Sequence, residues 1–136
     1  MGSKSNYLEN EILDHVLGGG DYTRPATVYV GLWTSALDDT SDGDTAGEVS
    51  GGSYARVSVT NNSTNWPAAA NGAKSNGTAI TFPQATGDWG TVTYFAILDA
   101  ATSGNVLYWG QLTSSKTIEN GDTASFAIGD LDITED

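Results

Sequence analysis

The sequence predicts an all-β fold: an antiparallel β-sandwich or jelly-roll-like domain of about seven strands, preceded by one short N-terminal α-helix. Three observations carry this expectation. Glycine supplies 17 of the 136 residues and Ser, Thr and Asn are abundant, while Lys, Glu and Leu, the residues that stock helices, are scarce. From Ala26 onward the apolar pattern has a period of two. Connectors rich in Gly, Asn, Asp and Pro, such as Asn71-Gly72, Ser103-Gly104-Asn105 and Asn120-Gly121-Asp122, separate the alternating segments.

The first element is the exception to the period of two. Leu8, Ile12, Leu13, Val16 and Leu17 recur at helical spacing and predict a helix over 5–17, with Asn6 and Glu9 as its N-cap pair. Gly18-Gly19-Gly20 stops it, because glycine takes the left-handed conformation of a C-cap and three together make a flexible joint. A helix this short is marginal in water, so its apolar stripe must dock on its own domain or on a neighbouring subunit. Residues 1–20 are read as a helical arm with a glycine joint and 21–136 as the sandwich domain. Leu8, Ile12, Leu13 and Val16 are the arm's candidate partner-binding residues.

The strands follow in order. Residues 27–34 place Val28, Val30 and Leu32 on one face and Tyr29, Gly31 and Trp33 on the other; apolar surface on both faces marks a central strand. Residues 54–60 alternate Ala55, Val57 and Val59 with Tyr54, Arg56 and Ser58, the pattern of a strand with one wet face. Further strands are expected over 79–82, 91–98, 106–112, 124–128 and 131–134. Two connectors are long: 35–53, with Asp38, Asp39, Asp42, Asp44 and Glu48, and 61–77, whose apolar content is Trp66 and a few alanines. Loops beyond about 12 to 15 residues in a compact domain are commonly functional or mobile.

Five Lys and Arg against 17 Asp and Glu give a net charge of −12, which opposes attraction to nucleic acid and to anionic lipid. The absence of cysteine excludes a disulfide framework, a thiolate metal site and a cysteine nucleophile. No run approaches the roughly 20 apolar residues of a membrane helix, and no basic region precedes an apolar stretch at the start, so a soluble chain without a secretory leader is expected.

Catalytic constellations are hard to assemble. His15 is the only histidine, it sits on the expected helix, and no Gly-x-Ser-x-Gly elbow accompanies it. Asp88 beside Trp89 and Asp99 after Ile97-Leu98 come nearest to the apolar surroundings of a raised-pKa acid, but turn capping explains both. In Asp38-Asp39-Thr40-Ser41-Asp42-Gly43-Asp44 an EF-hand alignment puts Asp42 and Gly43 at the fifth and sixth positions, yet the third is Thr40, the twelfth Val49, and Glu48 falls one place early. No cofactor is expected, with a non-EF calcium site in this loop, between Asp38 and Asp44, as the one metal alternative. Trp33 and Trp109 lie within strands and read as core; Trp66 in a polar loop and Trp89 in a turn read as exposed anchors for sugar or a neighbouring subunit.

Several segments together carry a likeness: Tyr7-Leu8-Glu9-Asn10 with Ile12-Leu13-Asp14-His15-Val16-Leu17, Thr27-Val28-Tyr29-Val30-Gly31-Leu32-Trp33-Thr34, Glu48-Val49-Ser50-Gly51-Gly52-Ser53-Tyr54-Ala55-Arg56-Val57, Ile80-Thr81-Phe82-Pro83 and Trp89-Gly90-Thr91-Val92-Thr93. The chain resembles a family of small tailed-bacteriophage virion structural proteins whose members are commonly labelled tail-fibre or minor structural proteins. The resemblance implies a non-enzymatic part of the phage particle, made in the host bacterial cytoplasm. With a charge that packaged DNA would repel, the expected position is the exterior. The leading expectation is a head decoration or cementing protein, bridging major capsid protein subunits or other virion proteins as a homo-oligomer. The alternative is a tail-fibre or tail-tip module that meets the host surface, glycan included, through Trp66 and the 38–48 loop. An enzyme acting on cell-wall sugar is disfavoured by the lack of a poised acid–base pair.

Overall fold

The computed structural model describes residues 2–135. Strand β1 (Gly2–Lys4) leads directly into helix α1 (Asn6–Val16), and eight further strands follow: β2 (Thr27–Trp33), β3 (Val57–Thr60), β4 (Ala73–Ser75), β5 (Ile80–Thr81), β6 (Gly90–Leu98), β7 (Val106–Ile118), β8 (Ser125–Phe126) and β9 (Asp132–Thr134). The seven expected strands all form, several of them shorter than expected and β7 longer. The fold is all-β with one N-terminal helix.

Seven strands make one curled sheet in the order β3-β2-β6-β7-β1-β9-β4, and β5 pairs with β8. As its two apolar faces require, β2 is internal, flanked by β3 (Val28↔Val59) and β6 (Gly31↔Ala96). Every pairing is antiparallel except one: β1 and β9 run parallel, with Gly2 opposite Ile133. Gly2 sits closely there: a Cβ would stand 2.6 Å from Ile133 Cδ1 and 3.1 Å from Phe95 Cζ, so both side chains would have to shift to admit one. The antiparallel expectation thus holds with that one correction, and its cause is that the first and last strands lie side by side.

The second layer differs from a matched sandwich. On one face of the sheet Val28, Val30, Leu32, Val92, Phe95 and Ile97 pack with Leu8 of α1 and with the β5–β8 pair in a single cluster. Phe126 of β8 meets Phe95 edge-on at 6.0 Å and Phe82 at 6.4 Å. On the opposite face Trp33, Ala96, Leu98 and Val106 form a second cluster with Leu37, and Trp33 is fully buried. The cover here is the 35–48 connector itself: Trp33 Nε1 donates to the Thr45 carbonyl and Trp109 Nε1 to Asp39 Oδ1, both at 3.0 Å. A buried indole needs an acceptor for its N–H, and the loop supplies two.

Candidate docking surface: the α1 end and the cleft beneath it

Helix α1 begins one residue earlier than the Asn6–Glu9 pair suggests. Ser5, buried and in extended conformation after β1, is the N-cap: its Oγ accepts from the Leu8 amide at 3.3 Å and donates to the Val106 carbonyl, while its own amide donates to Leu107 O at 3.0 Å. One side chain thereby caps the helix and ties it to β7. At the other end the glycine run folds back on the helix. Gly18 and Gly19 have φ of 119° and 97°, the Gly20 amide donates to Asp14 O at 3.0 Å, and the Tyr22 amide donates to His15 Nδ1 at 3.1 Å. The sole histidine is a backbone acceptor in this structure.

The five apolar residues of α1 do not share one face. At about 100° per residue Ile12 lies roughly 40° from Leu8, whereas Leu13 lies about 140° away, and Leu17, the C-cap, is already extended. Leu8 is buried and Ile12 packs against the core, but Leu13, Val16 and Leu17 are 58%, 68% and 71% exposed. This outer surface is acidic at its edges, for α1 contains Glu9, Glu11 and Asp14 and no Lys or Arg.

Beneath α1 lies a cleft of about 440 Å³. Leu8, Ile12, Val28, Ile97 and Leu107 line it with aliphatic surface, Tyr22, Trp66 and Tyr108 add rings, and Arg24, Lys74 and Glu135 add charge, of which Glu135 is paired with Lys4. Burial pushes the Tyr22 phenol up to about 12, with the nearby Tyr7 and Asp99 adding to it, and raises Tyr108 as well. Two ion pairs occur among the described residues, Lys4–Glu135 and Arg56–Glu48, each at 2.8 Å. Arg24, Lys74 and Lys116 make none there, and two of those three flank this one cleft.

The tryptophans expected outside are inside. Trp66 is 8% exposed, under a turn closed by Asn62 Oδ1, which accepts from the amides of Thr64 and Asn65 at 3.1 and 2.9 Å. Its Nε1 is buried without a hydrogen-bond partner among the described residues. Trp89 is 5% exposed; its Nε1 donates to Gly52 O at 2.9 Å and its ring meets Tyr54 edge-on at 5.3 Å. The expectation of exposed anchor rings is corrected for both: the connectors curl to tuck them into the core.

A second constellation escaped the sequence reading. Arg56, expected on a wet face, has a side chain only 2% exposed. Its Nε and Nη2 donate to the two Glu48 carboxylate oxygens at 2.8 and 2.9 Å, Nη1 to the carbonyls of Ala100 and Ser103 at 2.8 and 2.9 Å, and Nη2 to Gly43 O at 3.0 Å. Tyr54 adds its hydroxyl, donating to Glu48 Oε2 at 2.8 Å and accepting the Leu32 amide at 3.0 Å. Gly43 cannot be replaced in this hub, because a Cβ would overlap the Ser103 carbonyl. The signal available in the sequence was the scarcity of basic residues, which makes any arginine a prized partner in an acidic chain.

Several other carboxylates are engaged in turns. Asp38 Oδ1 accepts from the Thr40 amide and hydroxyl at 2.8 and 2.6 Å, which holds its carboxyl below the usual range, and Asp42 Oδ1 accepts the Asp44 amide at 2.9 Å. Asp88 accepts the Asn120 amide at 2.9 Å and Asp99 the Asn105 amide at 2.7 Å. Among the described residues no three His, Cys, Asp or Glu side chains converge as a metal set, and no helix is long and apolar enough to cross a membrane.

The open features of this β-body include an apolar helix end and an apolar cleft, and no assembled catalytic or metal constellation accompanies them among the described residues. The family model described as podophage GP4 fiber I protein gp80 matches residues 3–134. That span is nearly the whole chain, and the protein belongs to this family of phage fibre-type virion structural proteins. No curated protein matches it.

Proposed function

We propose that the protein is a structural module of a phage tail fibre on the exterior of the particle, joined to its neighbours through the outer face of α1. The observation that carries this is the family match over residues 3–134, whose description is of a fibre protein; it supports the fibre position over decoration of the head. The −12 charge argues in the same direction, away from packaged DNA. Because Trp66 and Trp89 are buried, the module links virion proteins to one another and offers no ring platform to host glycan. Its function is mechanical, without cofactor or turnover, and its partners are other copies and other virion proteins.

The test is location. When particles are dissociated and heads are separated from tails, quantitative mass spectrometry is expected to find the protein with the tail and fibre fraction. Stoichiometric recovery on tailless heads would reinstate the decoration reading and end this one.

A further inference from the structure

The cleft beneath α1 holds its charge unlike the rest of the molecule. Glu135, the one carboxylate in its lining, is paired with Lys4 at 2.8 Å, while Arg24 and Lys74, both exposed at its rim, make no ion pair among the described residues. Trp66, also in the lining, keeps its Nε1 hydrogen without an acceptor there. The free charge at this opening is therefore all cationic, in a chain that has five basic residues against 17 acidic ones. The floor is the opposite in character: Leu8, Val28, Ile97 and Leu107 are buried and aliphatic.

We propose that this cleft is a binding site for a small single-chain aliphatic carboxylate, its hydrocarbon chain against the buried floor and its head held at the rim by Arg24 and Lys74. Charge complementarity selects the head: a free guanidinium beside a free ammonium suits an anionic acceptor, and a carboxylate meets the guanidinium fork with both oxygens. The walls select the tail. A peptide lying on this floor would bring amide hydrogens and carbonyls that aliphatic side chains cannot satisfy, whereas a hydrocarbon chain needs no partner and gains by leaving water. Size and charge select the source. A volume of about 440 Å³ falls within the ordinary span of small-ligand sites, and a charge of −12 opposes approach to an anionic bilayer, so the ligand is a free carboxylate in solution and not a membrane phospholipid. Because the site lies within one chain, it stands apart from the fibre reading, which uses the outer face of α1.

Isothermal titration calorimetry of the full chain, first stripped of carried-over amphiphile on a lipophilic resin, tests this with sodium dodecanoate below the concentration at which it forms micelles. Wild type is expected to take up one dodecanoate per chain, saturably. Arg24→Gln with Lys74→Gln, and separately the exchange of dodecanoate for uncharged dodecanol, each weaken binding at least tenfold. Ala69→Trp, at an exposed position in the lining, narrows the cleft and weakens dodecanoate binding as well. All three positions are exposed, so unchanged unfolding midpoints show that the variants keep the fold. A wild type without saturable uptake overturns the proposal, as does dodecanol binding as tightly as dodecanoate, or an affinity indifferent to the variants. Uptake only from phosphatidylglycerol vesicles would assign the cleft to a membrane lipid, and saturation by an acidic peptide with none by dodecanoate would assign it to a protein partner; either result ends the free-carboxylate reading. None of these outcomes depends on where in the virion the protein is found, so this site and the fibre reading fail separately.

Discussion

The two sides of the sheet treat charge in opposite ways. On the side covered by the 35–48 connector, Arg56 directs its guanidinium at Glu48 and at the carbonyls of Gly43, Ala100 and Ser103, with nothing left for solvent. On the side covered by α1, Arg24 and Lys74 have no ionic partner among the described residues, and Leu13, Val16 and Leu17 are exposed. The first region is internally complete; the second leaves apolar and basic side chains open to solvent. A closed hub stabilises a monomer, whereas an open helix face and cleft contribute only when something covers them.

The largest expected effect lies in the closed region. Arg56→Ala leaves Glu48 and three carbonyls without their donor and is expected to lower unfolding stability by about 3–5 kcal/mol in denaturant titrations. Arg56→Lys does not restore it, because one ammonium cannot reach across the fork that the guanidinium spans. A loss below about 1 kcal/mol, the scale of an exposed pair, would erase the contrast between the two regions.

Alkaline pH separates the regions next. Burial raises the Tyr54 phenol, aided by the Glu48 carboxylate and opposed by the Leu32 amide, and burial pushes Tyr22 from 10.0 up to about 12. The folded state therefore keeps protons that the unfolded state loses. Stability from both is full below pH 10.0 and falls as pH rises through about 12 for Tyr22. Tyrosinate absorbance should show Tyr22, on the open cleft, ionising before Tyr54, with the earlier step absent in Tyr22→Phe. Simultaneous ionisation of both would mean that the cleft is as closed as the hub.

The longer strands and the helix were legible in the sequence, and the contacts made by the connectors were not. Strands β2 and β6 are readable because alternation encodes which face each residue takes, down to Trp33 and Leu98 on the second face. Strand β1 is not, since Gly2, Ser3 and Lys4 join the sheet by backbone pairing with Gly110, Trp109 and Tyr108, which leaves no side-chain pattern. Missing β1 also misplaced the cap, as Ser5 becomes an N-cap only because a strand delivers it to Val106. Arg56 alternates like a solvent-facing residue, and its burial depends on a connector folding over it. Trp66 and Trp89 look external by position, yet turns closed by side chains such as Asn62 carry their rings inward. The cleft joins Arg24 with Lys74 through the path of the whole chain, which no local pattern records.

At the seam between the regions sits Ser5. Ser5→Ala removes the cap on the Leu8 amide and the bond to Val106 O, and is expected to cost about 1–2 kcal/mol in thermal or denaturant unfolding. Hydrogen exchange should rise first in α1, because the helix loses both its cap and its tether to β7. If protection fell equally in β6, far from the cap, the helix would be part of the same cooperative unit as the hub.

The smallest stability effect is expected where the functional one is greatest. Leu13→Ser and Leu17→Ser alter side chains 58% and 71% exposed, so unfolding of the dilute protein should shift by no more than about 0.5 kcal/mol each. A larger loss would mean that these side chains pack in the monomer in solution. A negligible loss says that the monomer does not need two exposed leucines beside a glycine-capped helix end. Their apolar surface then faces water at no benefit to folding, which is the signature of a face held for a neighbour.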